Sequence, residues 1–142
     1  MPMFIRITDH VSVAPQIAPE DCALAAAQGF AAIVNNRPDG EGAGQPEAAT
    51  MRAAAEAAGL RYADIPIDHS GFSMPQIEAM VAVLDAGGPI LAFCRSGTRS
   101  CNLWALAEAK RGGDPDAIVA AADAGGYHIG GLLPTLRALA AR

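Results

Sequence analysis

The sequence predicts an α/β fold of three layers, in which a mostly parallel sheet of four to five strands is flanked by helices. Short apolar runs alternate along the chain with longer runs of helix-forming residues. This alternation is typical of a parallel sheet covered on both faces. The chain has 142 residues, 51% of them hydrophobic and 18% charged, a length and composition that suit one folded domain. We therefore expect residues 1–142 to form a single domain.

The first half of the chain contains three predicted strands and two predicted helices. The strands cover residues 10–13, 30–34 and 60–67, and the helices cover residues 18–28 and 46–58. Pro19 suits the first turn of a helix, and Gly29 is a natural end for it. The second helix is rich in alanine, the strongest helix former, and Gly59 closes it.

The second half adds a fourth strand and four helices. Ser73 and Gln76 have the spacing of a capping box, which predicts a helix from this point to about Asp85. The other predicted elements are a strand at residues 89–93 and helices at residues 100–111, from residue 114 onward and at residues 132–141.

The most informative segment is Cys-Arg-Ser-Gly-Thr-Arg-Ser, residues 94–100, which follows the fourth strand and leads into a helix. Unpaired N–H groups and the positive end of a helix dipole meet at such a turn and favour a bound anion. The same field, with Arg95 and Arg99, favours the thiolate form of the cysteine, which is the nucleophilic form. A cysteine that ends an apolar strand is commonly a small core residue, but two arginines and a glycine continue a core poorly. We therefore predict Cys94 as a nucleophile.

The residues that follow Cys94 form the predicted anion site. We expect Arg99 to contact a bound oxyanion, because its planar and permanently charged guanidinium matches the geometry of an oxyanion. The other predicted anion-binding residues of this segment are Arg95, Ser96, Gly97, Thr98 and Ser100. The expected substrate is a small anion.

Two further loops are expected beside this segment, because the site of a parallel sheet lies at the carboxyl ends of its strands. The three loops gathered in this way cover residues 35–41, 68–73 and 94–99. Arg37 would then be a further anion contact, or it would form a surface salt bridge to Asp39 or Glu41. The sequence leaves these alternatives open.

Asp68 and His69 are the only obvious proton donors expected within reach of that edge. Asp68 is the candidate general acid for a reaction whose leaving group needs a proton. Both residues also fit a solvated turn, because Asp, His, Ser and Gly are ordinary turn residues.

Composition argues against several classes of protein. The net charge of −5 argues against a nucleic-acid-binding surface. No run approaches the ~20 apolar residues of a membrane span, and the first ten residues lack the apolar core of a signal peptide. Cys22, Cys94 and Cys101 are odd in number and lack metal-ligand spacing, which predicts reduced thiols in the cytoplasm and no metal. For Cys101, packing in its helix is favoured over a role as a resolving thiol.

Four segments together resemble a known bacterial family. They are VAPQIAPED at residues 13–21, VNNRPDGE at 34–41, CRSGTRS with LWAL at 94–106, and AGGY with LLPTL at 124–136. On these residues the chain resembles the beta-lactamase hydrolase-like protein, phosphatase-like domain family. The resemblance implies a cysteine-phosphatase-like fold of the dual-specificity type, with Cys94 as nucleophile and Arg99 as the oxyanion-binding side chain. It also implies sulfurtransferase roles, with a persulfide dioxygenase as a partner.

One departure from the phosphatase pattern bears on the chemistry. Phosphatases of the tyrosine type have five residues between the cysteine and the arginine, whereas four residues separate Cys94 from Arg99. The segment is similar to the shorter loop of rhodanese-type sulfurtransferases, which often begins Cys-Arg-x-Gly. A shorter loop suits a persulfide on the cysteine better than a full phosphate above it.

Three functions remain open on the sequence. The favoured one is sulfane-sulfur transfer through a Cys94 persulfide, with thiosulfate or a low-molecular-weight persulfide as the donor. The alternative is hydrolysis of phosphate monoesters through a Cys94 phosphocysteine, with Arg99 on the oxygens and Asp68 or His69 as the acid. The third is a non-catalytic anion-binding module. We expect no cofactor.

Overall fold

The computed structural model describes residues 3–141, so Met1, Pro2 and Arg142 of the predicted domain lie outside the described residues. Along this stretch five strands form one sheet, and six α-helices flank it. The strands are β1 (Ile5–Arg6), β2 (Val11–Ala14), β3 (Ala32–Asn35), β4 (Arg61–Asp64) and β5 (Ile90–Phe93). The helices are α1 (Asp21–Ala27), α2 (Ala48–Ala57), α3 (Met74–Asp85), α4 (Thr98–Lys110), α5 (Pro115–Ala124) and α6 (Leu133–Ala140).

The strand order of the sheet is β1-β2-β5-β3-β4. Strands β2, β5, β3 and β4 run parallel, and β1 pairs with β2 in the antiparallel direction. In the parallel register, Phe93 at the end of β5 lies level with Ala14 of β2 and Asn35 of β3. The residue after β5 therefore leaves the sheet at its centre, between two other strand ends.

Each face of the sheet carries its own core, because successive side chains of a strand point to opposite faces. In β5, Ile90 and Ala92 belong to the core beneath α3, α4, α5 and α6. Leu91 and Phe93 belong to the core beneath α1 and α2. The mostly parallel, three-layer α/β fold that the sequence predicts is therefore confirmed, with five strands.

The structure corrects some boundaries of the predicted elements. Strand β1 was not predicted, because its two residues carry no periodic pattern and are held only by pairing with β2. Helix α4 begins at Thr98 rather than at residue 100, since Gly97 immediately before it has a φ of +92°. The predicted capping box of α3 is present, and the backbone N–H of Ser73 donates to Oε1 of Gln76 at 2.8 Å.

None of the helices within residues 3–141 is long and apolar enough to cross a membrane.

Candidate active site

Cys94 follows β5 directly and is fully buried. Its backbone N–H donates to the carbonyl oxygen of Ala14 at 3.3 Å, which holds it at the end of the central strand. The chain then turns back, so that the N–H of Gly97 donates to Sγ of Cys94 at 3.1 Å. The φ of +92° at Gly97 lies in the left-handed region that favours glycine. We call residues 94–99 the cysteine loop.

The rim of the cysteine loop carries three exposed side chains, those of Arg95, Ser96 and Thr98. The Ser96 hydroxyl donates to Oγ1 of Thr98 at 3.0 Å. The carbonyl oxygen of Arg95 accepts the N–H of Gln16 at 3.3 Å, which ties the loop to the segment after β2. Because α4 begins at Thr98, the N–H groups of its first turn have no intrahelical acceptor and lie beside the cysteine.

Arg99 is held by a carboxylate that the sequence did not single out. Its Nη1 and Nη2 donate to the two oxygens of Glu41 at 2.7 and 2.8 Å, and Nη1 also donates to the carbonyl oxygen of Ile67 at 2.6 Å. The hydrogen bond to Glu41 raises the pKa of Arg99, and the negative charge of Cys94 raises this pKa further. The outer nitrogens of the Arg99 guanidinium are therefore bound to the carboxylate of Glu41.

Arg37 shares the same carboxylate. Its Nε donates to Oε1 of Glu41 at 3.0 Å, and its Nη1 donates to Oε1 of Gln16 at 3.1 Å. The salt bridge to Glu41 is thus formed, but it is buried rather than at the surface, because only 8% of the Arg37 side chain is exposed. Asp39, the other proposed partner, instead accepts the N–H of Ala48 at the start of α2.

Glu41 is the charge centre of this cluster. The hydrogen bond from Arg99 and the weaker effect of Arg37 lower the pKa of Glu41 to about 2, although burial opposes the change. The carboxylate is therefore ionised at neutral pH. Two guanidinium groups share one carboxylate, which leaves one positive charge in excess beside Cys94. We call residues 35–41 the arginine loop.

Ser100 and Asn36 join the arginine loop to α4 in the protein interior. The Ser100 hydroxyl donates to Oδ1 of Asn36 at 2.8 Å, and Nδ2 of Asn36 donates to the carbonyl oxygen of Ile65 at 2.9 Å. Both side chains are fully buried. The predicted anion contact of Ser100 is therefore not available to its hydroxyl in this arrangement, which leaves only the backbone N–H for that role.

The third predicted loop, residues 68–73, has a different character, and we call it the aspartate loop. Asp68 and His69 are exposed. Oδ1 of Asp68 accepts the hydroxyl of Ser70 and also its backbone N–H, the latter at 2.8 Å. These two hydrogen bonds lower the pKa of Asp68, and the charge of His69 adds a smaller effect. The hydrogen bonds from Ser70 thus hold Asp68 within its own turn and favour its ionised form.

A family model described as beta-lactamase hydrolase-like protein, phosphatase-like domain, matches residues 3–111. The chain belongs to this family. The resemblance stated on the sequence is thereby confirmed. A beta-lactamase hydrolase-like protein of Agrobacterium fabrum is 38% identical over 109 residues, which are 76% of this chain and 25% of that protein. The chain therefore spans about a quarter of the length of this curated relative.

Solved structures with the same fold include proteins that are described as phosphatases. A candidate phosphatase from Neisseria meningitidis has a TM-score of 0.77 and 28% sequence identity, over 96% of this chain and 97% of that chain. The P. aeruginosa protein TpbA, in a complex with phosphotyrosine, has a TM-score of 0.60 and 18% identity, over 96% of this chain and 89% of that chain. These likenesses confirm the cysteine-phosphatase-like fold.

Tyr127 is a residue of the site that the sequence did not reveal. It lies beyond the 3–111 match, and its hydroxyl donates to the carbonyl oxygen of Ser96 at 3.0 Å across 31 positions of the chain. A Cβ atom on Gly97 would lie 2.2 Å from the Tyr127 hydroxyl, so only glycine leaves room for this contact. Burial is the main cause that raises the pKa of Tyr127. The one available signal was the Ala-Gly-Gly-Tyr segment of the family resemblance, which named no partner.

The other two cysteines are core residues. Cys22 and Cys101 are fully buried, and none of the three cysteines, all within residues 3–141, forms a disulfide. Burial raises the pKa of Cys101 to about 12, with a smaller effect from the charge of Cys94. A thiol that stays protonated is a poor resolving nucleophile. Across the described part of the chain, no three His, Cys, Asp or Glu side chains are grouped closely enough to hold a metal ion.

Proposed function

We propose that this domain is a cysteine-dependent phosphatase that hydrolyses small phosphate monoesters. The observation that carries the proposal is the cysteine loop itself, in which the Gly97 N–H points at Sγ of Cys94 at 3.1 Å and α4 begins one residue later. This is the arrangement that binds an oxyanion above a nucleophilic sulfur. The family and the phosphatase fold support it. Among the functions open on the sequence, this was the alternative to sulfur transfer.

In the proposed reaction the Cys94 thiolate attacks phosphorus. A phosphorus–sulfur bond forms while the bond from phosphorus to the ester oxygen breaks, and the leaving oxygen departs as an oxyanion that takes up one proton from the solvent. Water then attacks the phosphocysteine, the phosphorus–sulfur bond breaks, and inorganic phosphate leaves with the thiolate restored. The exposed loop residues Arg95, Ser96 and Thr98 are proposed contacts of the phosphate oxygens, together with the N–H groups of the loop.

The two arginines have different proposed roles. Arg99 is paired with Glu41, and the charge of Cys94 acts on it, so we propose that it contacts the phosphate oxygens while the carboxylate fixes its orientation. Arg37 is buried and already bound to Glu41 and Gln16. We therefore propose that it acts on the phosphate only through its charge and through the position of Glu41.

Protonation of the leaving group is the step for which this site is least equipped. Asp68 is ionised and exposed, so it holds no proton to donate. Esters of acidic alcohols, such as phenols, leave without a proton donor, whereas alkyl esters need one. We therefore propose that aryl phosphates are hydrolysed much faster than alkyl phosphates.

Sulfur transfer is the second candidate, and the same property of Asp68 favours it. In that reaction the Cys94 thiolate attacks the outer sulfur of thiosulfate, the sulfur–sulfur bond of thiosulfate breaks, and sulfite leaves without needing a proton. Cyanide or a thiol then removes the outer sulfur from the Cys94 persulfide. The four-residue spacing from Cys94 to Arg99 is the second observation in favour. A persulfide dioxygenase partner stays a prediction of the sequence resemblance.

Both activities can be tested on one preparation. We expect Cys94-dependent hydrolysis of para-nitrophenyl phosphate, and a phosphocysteine that acid quenching and mass spectrometry locate on the Cys94 peptide. Efficient transfer from thiosulfate to cyanide, with a persulfide on that peptide and no ester hydrolysis, would replace the first proposal with the second. Cys22→Ser is a suitable control, because this thiol lies in the core beneath α1 and α2.

The extent of the domain and its location in the cell are also proposals. We propose that residues 1–142 form one phosphatase-like domain that works on small anions in the cytoplasm, since the three thiols are unpaired within the described residues. Limited proteolysis should leave a single protected fragment of nearly the full length. Cell fractionation should find the protein with the cytoplasmic markers.

A further inference from the structure

A hollow of about 450 Å³ opens beside the cysteine loop. Thr98 and Asn102 of α4 form one wall. Tyr127 and Ile129, with the turn that carries Gly131 and Leu132, form the opposite wall. The volume lies in the range of natural small-molecule pockets, which runs from about 300 to 1,000 Å³.

The hollow adjoins the proposed phosphate site at Thr98. Thr98 belongs to both, because it follows Gly97 in the cysteine loop and also lines the hollow. Tyr127 also lines the hollow, and its hydroxyl donates a hydrogen bond to the carbonyl oxygen of Ser96 in the cysteine loop. A group that extends from a phosphate on the cysteine loop therefore has the hollow as its neighbour.

The side chains of the hollow suit a small aromatic group. The Tyr127 ring can pair with another ring, and such pairs gain stability beyond that of apolar burial. Ile129 and Leu132 add aliphatic surface, and Thr98 and Asn102 supply the few polar groups of a typical ligand pocket. In the aspartate loop, Asp68, His69 and Ser70 are exposed, and the aromatic residue Phe72 packs against the core.

We propose that this hollow is the subsite for the organic part of the substrate, and that it receives the ring of a small aryl phosphate whose phosphate lies on the cysteine loop. The inference rests on the proposed phosphatase function and adds the place and the chemical class of the leaving group. Most of its walls belong to residues 126–132. The subsite is therefore formed mainly by residues outside the part of the chain that the family model matches.

Two adjacent glycines provide a matched test. A Cβ atom on Gly130 or on Gly131 would meet nothing within 4 Å, and neither residue has a positive φ. Only Gly131 lines the hollow. Gly131→Phe should therefore fill it, while Gly130→Phe adds the same side chain to the same turn outside it.

The assay compares phenyl phosphate as a substrate with inorganic phosphate as a competitive inhibitor. We expect Gly131→Phe to lower kcat/KM for phenyl phosphate by about 10-fold or more, with the Ki of phosphate unchanged within about 2-fold. Gly130→Phe should leave both values near those of the wild type. Equal kcat/KM for the two variants would overturn the subsite and leave the phosphatase proposal standing.

A binding experiment tests the subsite without turnover. In Cys94→Ser protein, phenyl phosphate should shift the NMR signals of Ile129 and Leu132, whereas inorganic phosphate should shift only those of the cysteine loop and of Tyr127, which is hydrogen-bonded to it. Absence of shifts at the hollow with phenyl phosphate, when the loop does respond, would contradict the proposal. This result separates a wrong subsite from a wrong reaction, because it does not depend on hydrolysis.

Discussion

The two loops that flank the cysteine loop occupy the same edge of the sheet but differ in almost every physical property. In the arginine loop, the Arg37 side chain is buried and is paired with Glu41, which is also paired with Arg99. The aspartate loop is exposed, and its carboxylate is bound only to the serine two positions later. The sequence predicted that both loops lie beside Cys94.

The difference indicates that only one of the two loops, the arginine loop, places partly buried charged groups beside the cysteine loop. Glu41 fixes two guanidinium groups in partly buried surroundings, where electrostatic interactions are stronger than in water. Asp68 is surrounded by solvent, which screens its charge from the cysteine. The charged side chains of Arg37, Glu41 and Arg99 are thus fixed by one another, whereas the Asp68 carboxylate is exposed to solvent. The predictions below test each half of this contrast.

The largest expected effect belongs to the residue between the two loops. Cys94→Ser should lower the hydrolysis of para-nitrophenyl phosphate by about 10⁴-fold or more, because the hydroxyl is a far weaker nucleophile than the thiolate. Steady-state rates measured beside Cys22→Ser give the comparison, and the control should retain most of the activity. Near-normal rates in Cys94→Ser would show that Cys94 is not the nucleophile.

The arginine loop is tested by Glu41→Gln, which removes the carboxylate that orients Arg99 and Arg37. We expect kcat/KM to fall by up to about 10²-fold, since a displaced binding group costs that much, and the Ki of inorganic phosphate to rise. Glu56→Gln is a matched control, because Glu56 forms an exposed ion pair at 3.9 Å, far weaker in geometry than that of Glu41. Tighter phosphate binding in Glu41→Gln would mean that Glu41 competes with the anion instead of positioning Arg99.

The same carboxylate predicts a pH dependence of stability. Its pKa is lowered from 4.5 to about 2 in the folded protein, so its contribution is fully present above the unfolded value. It is lost as the pH falls through the folded value. Thermal melts between pH 4.5 and 2 should therefore show a steeper loss of Tm in the wild type than in Glu41→Gln. Parallel curves would show that the ion pairs add nothing to stability.

The contrast between the loops also shows which features of the site can be predicted from the sequence. Cys94 and Gly97 were found because strand, turn and helix are consecutive in the chain, so local patterns predict their arrangement. Arg99 and Glu41 are 58 positions apart in the chain, and no local spacing pattern predicts that they pair. Strand β1 was missed for the same reason, since only its partner strand defines it. The fold was predictable from alternation, but the partners of the charged groups depend on tertiary packing.

A smaller effect is expected where Tyr127 meets the cysteine loop. Tyr127→Phe keeps the ring and removes the hydrogen bond to Ser96, which is worth about 1 kcal/mol, or a factor of about 2 to 10. We expect this loss in kcat/KM for phenyl phosphate and in the affinity for inorganic phosphate, because both depend on the shape of the loop. An effect on the ester alone would instead place the hydroxyl in contact with the leaving group.

The smallest effect is predicted for Asp68→Asn. The carboxylate is ionised and exposed and accepts hydrogen bonds only from Ser70, so its removal takes no proton donor from the reaction. Rates on para-nitrophenyl phosphate should change by less than about 2-fold, and His69→Ala should be similarly mild. Alkyl phosphates are the critical substrates, because their leaving groups need a proton. A loss of about 10² to 10⁴-fold on alkyl esters in Asp68→Asn would identify Asp68 as the general acid. The aspartate loop would then have to move over the cysteine loop during the reaction, and its exposed position would describe only the resting enzyme.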